Sequence, residues 1–181
     1  MKAIHLYLTG YRGCGKSTLS RLLGSRLNRP VVDTDELIET KAGATIASIF
    51  EAVGEEGFRD QESAVIAEVS KRPEPHVIAL GGGAILRETN RELIRRSGWV
   101  AWLKASPTTL AMRIATDTTT KARRPALSKL GVVEEIETVL ERRSPLYQTV
   151  AHASFSSDTV ELEQLADDVF RSYVQWQSTG D

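Results

Sequence analysis

Residues 10–18 read Gly-Tyr-Arg-Gly-Cys-Gly-Lys-Ser-Thr and match the pattern G-x-x-x-x-G-K-[ST]. The pattern demands a specific local fold. Glycines let successive backbone N–H groups turn inward around a polyphosphate, and a helix that follows adds its N-terminal N–H groups and positive dipole end. The flanks fit. Residues 4–9 are largely apolar, as a buried strand requires, and Leu19, Leu22, Leu23 and Leu27 repeat at helical spacing beyond the loop. Gly13, Cys14, Gly15, Lys16, Ser17 and Thr18 are thus candidate nucleotide-binding residues. Lys16 is placed to reach the β- and γ-phosphates and Ser17 to ligate a magnesium ion. Cys14 suits its position through small size and a backbone amide.

Strand and helix patterns alternate through the rest of the chain, which predicts an α/β fold with a mainly parallel sheet. Short strands are expected at 31–33, 76–80, 99–103 and 153–155. Helices are expected at 35–41, 46–53, 55–70, 88–96, 107–115, 132–143 and 160–173, with a frayed tail over 175–181. Residues 117–131 show no period and are predicted to form a functional loop. The 181 residues suit a single domain spanning 1–181, and the formal net charge of −1 argues against a broad nucleic-acid or membrane surface. One cysteine excludes an internal disulfide framework. Residues 1–9 are too short and too polar for a signal peptide and no apolar run reaches spanning length, so a cytoplasmic protein is expected.

Charged residues in unusual places supply the second layer. Asp33 and Asp35 follow the second strand; on an extended segment both carboxylates would point the same way, one toward a metal ion and one toward a substrate hydroxyl. They would equally serve as a helix N-cap pair. Glu62 falls on the apolar stripe Phe58, Val65, Ile66, Val69, with Arg59 at its edge. Such charges either pair internally or present Arg59 to an anionic ligand. Gly81, Gly82 and Gly83 end the third strand, either as a tight turn or as a place of close approach at the ligand-binding edge of a parallel sheet. Lys121, Arg123 and Arg124 make a cationic loop, solvated or able to fold over a phosphoryl group. Arg143 interrupts the stripe Ile136, Leu140, Tyr147. His5, His76 and His152 lack metal-ligand spacing and read as structural.

The ordered series of motifs resembles the shikimate kinase family over almost the whole length. It comprises G-x-x-G-x-G-K-S-T at 10–18, D-T-D at 33–35, F-R-x-x-E at 58–62, G-G-G-A at 81–84, R-P at 124–125 and R-x-P-L-Y at 143–147. The resemblance implies a three-layer α/β/α P-loop kinase fold with a five-stranded parallel sheet and a lid at about 117–131. It also implies a substrate-binding segment at about 34–62. The implied reaction transfers the γ-phosphoryl of ATP to the 3-hydroxyl of shikimate, with Mg²⁺, in the route to chorismate and aromatic amino acids. By motif position, Asp35, Arg59, Gly82, Gly83 and Arg143 would bind shikimate, and Asp35 would take the hydroxyl proton. Ser17 and Asp33 would hold the metal, Lys16 and Arg124 would stabilise the transferring group, and Arg113 would contact adenine. Partners are then ATP and shikimate, with no nucleic acid or membrane, acting as a monomer. Ala79 departs from relatives with a hydroxyl two places before the glycine run. Rival readings are a gluconate or nucleotide kinase, or a non-catalytic nucleotide-binding module.

Overall fold

A computed structural model describes residues 5–116, 131–158 and 160–179. The expected lid, apart from Gly131, lies outside the described residues, as do Arg124 and its basic neighbours. Strand β1 (His5–Thr9) leads into helix α1 (Lys16–Leu27), followed by β2 (Val31–Asp33), α2 (Thr34–Ala42), α3 (Ile46–Val69) and β3 (Val77–Ala79). Then come α4 (Glu88–Ser97), β4 (Gly98–Lys104), α5 (Pro107–Thr116), α6 (Val132–Val150), β5 (Ala153–Ser156) and α7 (Leu162–Thr179).

The five strands form one parallel sheet in the order β2-β3-β1-β4-β5. Every residue of β1 is buried, as a central strand covered on both faces must be. Its alternation sorts the core. Leu6 and Leu8 join the cluster containing Leu19 and Leu23 of α1 and Val169 of α7. Tyr7 joins the cluster containing Phe58 and Ile66 of α3 and Ile94 of α4. Helix α6 contributes to both, through Ile136 and through Tyr147 with Val150. Because all strands run the same way, the segments after β1, β2 and β3 emerge at one edge. The strand order makes them neighbours there, with the segment after β3 in the middle.

Three local expectations need correction. The tail is not frayed over 175–179, because α7 continues to Thr179. Trp176 packs edge-on to His152 at 5.5 Å and against Tyr173, and this ring burial extends the helix. Helix α6 does not stop near Arg143 but runs through Pro145 to Val150. The proline removes one N–H, and the burial of Tyr147 and Val150 beyond it outweighs that loss. Asp33 and Asp35 do not share an extended segment, since β2 ends at Asp33 and α2 starts at Thr34. The division near residue 54 does stand: Gly54 adopts φ 70°, ψ −176° and breaks the helical path of α3, a conformation open to glycine alone at little cost.

His5 is fully buried, and its Nδ1 accepts a hydrogen bond from the His76 backbone N–H at 3.1 Å. Burial, reinforced by the positive charges of His76, Arg29 and Arg72, pulls its pKa from 6.5 down to about 4. Between those values the unfolded chain binds more protons than the folded one, so stability rises with pH. We expect this group to remove about 3 kcal/mol of stability on acidification from pH 7 to pH 4, read from urea midpoints. His5→Asn, which keeps an acceptor for the His76 N–H, should flatten the dependence. An unchanged slope would show that the imidazole does not titrate across this range.

Candidate active site

An open cavity of about 530 Å³ lies at the carboxyl edge of the sheet. One wall is the phosphate loop. Gly13 and Gly15 hold φ of 82° and 94°, the left-handed conformations that turn the backbone inward. Lys16 folds beneath the loop and donates to the carbonyls of Gly10 and Tyr11, both at 2.9 Å. Cys14 is fully buried, with its Sγ 3.6 Å from the Lys16 Nζ. Thr18 also lines the cavity.

The Asp-Thr-Asp segment divides its labour among three residues. Asp33 caps α2, accepting from the Asp35 N–H at 3.0 Å, and its Oδ2 also accepts from the Ser17 hydroxyl at 2.6 Å. The capping reading of Asp33 therefore holds, and the same carboxylate also reaches the phosphate loop through Ser17. Thr34, which the sequence analysis passed over, accepts the Gly81 N–H at 2.9 Å and ties α2 to the end of β3. Asp35 turns its carboxylate against Gly81, where a methyl group would overlap Oδ1 and come within 3.1 Å of the Glu62 Oε1.

The glycine run is used for space, not for unusual backbone angles, since none of the three has positive φ. A methyl at Gly83 would overlap the guanidinium of Arg59. That guanidinium donates to Glu62 at 2.7 Å and to Glu55 at 3.2 Å, with only 6% of the residue exposed. The Gly82 carbonyl accepts from Arg143 at 3.0 Å and from the Tyr147 hydroxyl at 2.6 Å. Burial raises the Tyr147 pKa and keeps that donor protonated. Arg59, Arg143 and Asp35 thus meet three consecutive residues, whose outer α-carbons are at most about 7 Å apart.

On the far side of the phosphate loop, Arg113 of α5 bonds Ser157, donating to its hydroxyl at 3.2 Å and to its carbonyl at 2.5 Å. The cavity continues there along Val160, Leu162 and Leu165. Sequence reasoning did not find these apolar residues, because nothing in their order distinguishes them from other core positions. Ile46 and Leu80 also line the cavity and are indistinct in the sequence for the same reason. Among the described residues no group of three His, Cys, Asp or Glu side chains is arranged to hold a metal. No described helix is long and apolar enough to cross a membrane.

The model of the shikimate kinase family matches residues 12–174. The chain belongs to the shikimate kinase family. A shikimate kinase from Rhodopirellula baltica is 49% identical over 172 residues, covering 95% of this chain and 91% of that one. The solved structure of shikimate kinase from Acinetobacter baumannii in complex with shikimate superposes with a TM-score of 0.88 at 34% identity, covering 96% and 94% of the two chains. A gluconokinase from Sinorhizobium meliloti reaches a TM-score of 0.55 at 14% identity over 98% of each chain, a likeness of fold alone. As a shikimate kinase, the chain catalyses ATP-dependent phosphorylation of shikimate, which removes the gluconate, nucleotide-kinase and non-catalytic readings.

Gly83→Ala should displace the Arg59 guanidinium while leaving the phosphate loop in place. A shift near 1 Å at a positioning group costs up to about 100-fold, so the shikimate KM should rise by at least tenfold with the ATP KM nearly unchanged. Steady-state kinetics with each substrate varied separately would show this, and equal changes in both constants would contradict the local reading.

Proposed function

We propose that the end of β3 holds shikimate between the guanidinium groups of Arg59 and Arg143 and the carboxylate of Asp35, facing ATP seated in the phosphate loop. The observation that carries this reading is the convergence of those three side chains on Gly81, Gly82 and Gly83. Arg59 and Arg143 would grip the substrate carboxylate, for which planar guanidinium groups are matched. Asp35 would orient the 3-hydroxyl and receive its proton. In the transfer, the bond from γ-phosphorus to the ADP oxygen breaks and a bond to the hydroxyl oxygen forms, so positioning and charge stabilisation supply most of the catalysis. Lys16 and Arg124 would offset the charge on the group in transit. Arg113 and the apolar wall of Val160, Leu162 and Leu165 would take the adenine.

Mg²⁺ fits the donors present. Ser17 Oγ and Asp33 Oδ2, 2.6 Å apart, are two hard oxygens, and this ion commonly takes one or two carboxylates together with phosphate oxygens and water. When bound it would neutralise charge on the β- and γ-phosphates. Ala79 is buried and adds no third oxygen. The free thiol of Cys14 suits a reducing cytoplasm.

The test is ADP release from ATP and Mg²⁺ with and without shikimate, run on variants. Arg59→Ala should raise the shikimate KM by about 30-fold or more and alter the ATP KM little. Asp35→Asn should lower kcat by about 10²- to 10⁴-fold with an unchanged urea midpoint. Wild-type turnover in the Asp35 variant would rule out its role as proton acceptor.

A further inference from the structure

The phosphate loop carries one charged side chain that the reaction as described leaves unused. Arg12 is half-buried and lines the cavity together with Lys16, Asp35 and Gly82. Its guanidinium carbon lies 5.9 Å from the centre of the Tyr11 ring. Its Nε is shut away from solvent and has no hydrogen-bond partner among the described residues. The other described cations of the site are engaged. Arg59 has Glu62 and Glu55, Arg113 has Ser157, Arg143 has the Gly82 carbonyl, and Lys16 has two loop carbonyls. A guanidinium sunk into a cavity wall with an unsatisfied N–H is costly unless a ligand completes it.

The position of Arg12 says which ligand group that is. A methyl on Gly82 would stand 3.4 Å from the Arg12 backbone nitrogen and 3.5 Å from the Gly10 carbonyl oxygen. Residue 12 therefore lies where the phosphate loop meets the glycine end of β3, on the acceptor side of the loop. Before transfer, the acceptor presents a neutral hydroxyl there and a carboxylate assigned to Arg59 and Arg143. After transfer, it presents a phosphate monoester with about two negative charges. Among the described residues no carboxylate forms an ion pair with Arg12, and a guanidinium is matched to such an ester.

We infer that Arg12 is an acceptor-side phosphoryl grip, a further catalytic residue that contacts the phosphoryl group as it leaves ADP and holds it on the acceptor oxygen. Arg12 forms no covalent bond and gives up no proton; the acceptor proton goes to Asp35 and ADP carries away the bridging oxygen. The role rests on the shikimate pose proposed above, and it separates two properties that a merely structural arginine would not. It strengthens binding of the phosphorylated product over the unphosphorylated substrate, and it lowers the barrier to transfer.

The experiment compares Arg12→Met and Arg12→Lys with the wild-type chain. Calorimetry gives the affinities for shikimate, shikimate 3-phosphate and ADP, and the ADP-release assay gives kcat. Arg12→Met should weaken product binding by about tenfold or more and lower kcat by a similar factor. Shikimate and ADP affinities should stay within about threefold. Arg12→Lys, which keeps the charge without the planar fork, should recover part of both losses. If Arg12→Met melts at a lower temperature, Arg12→Gln supplies the same comparison of product against substrate. Equal weakening of product and substrate would overturn the inference by moving Arg12 to the shared ring, and a loss confined to ADP would overturn it by moving Arg12 to the donor side. Unchanged constants throughout would overturn it as well. Arg59→Ala and Arg143→Ala chains that bind shikimate as tightly as the wild type would instead break the underlying pose.

Discussion

The ion pair between Arg59 and Glu62, sealed against the end of β3, is the interaction on which the rest of the site depends. Glu62 is fully buried and Arg59 nearly so, and breaking such a pair from one side costs about 3–5 kcal/mol. The pair lies on the same face of α3 as Phe58 and Ile66, so core packing holds the guanidinium in place. Glycine at 83 lets it approach the strand end. A feature of the core and a feature of the pocket are thus one structure, and the pocket inherits the rigidity of the core.

Strand order then distributes the chemistry. The phosphate loop follows β1, the Asp-Thr-Asp segment follows β2 and the glycine run follows β3, yet in space the glycine run lies between the other two. It is the shared wall. Asp35 and Thr34 meet it at Gly81, Arg143 and Tyr147 at Gly82, and Arg59 at Gly83. The Ser17–Asp33 hydrogen bond closes the arrangement by linking the first helix to the second. In the proposed pose the donor and acceptor sides of the reaction would thus be set by neighbouring strands of one sheet, a scaffold suited to holding reactants in line.

Much of this was legible because its residue types are rare in their settings. A glycine loop ending in Lys-Ser after an apolar strand, a carboxylate and a guanidinium on an apolar helical stripe, and three glycines in a row each violate an ordinary preference for a reason the chain shows locally. What was illegible lacked any such violation. Val160, Leu162 and Leu165 are apolar residues like many others, and only their place beside Arg113 makes them a wall of the cavity. Trp176 and Tyr147 stabilise helix beyond points where a tail or a proline suggests an end, because ring contacts with distant residues outweigh local propensity. Arg12 read as one more loop position until burial showed its Nε without a partner among the described residues.

By itself the sequence determined the alternation of strands and helices, the anion cradle and the identity of the charges available for chemistry, since these follow from spacing and residue type over short distances. Only the tertiary structure decided that Asp33 both caps a helix and meets Ser17, that each glycine of the run receives a different side chain, and that the Arg12 backbone lies against Gly82. Those outcomes depend on which strands lie side by side, and strand adjacency is set by packing among residues far apart in the chain, which no local pattern records.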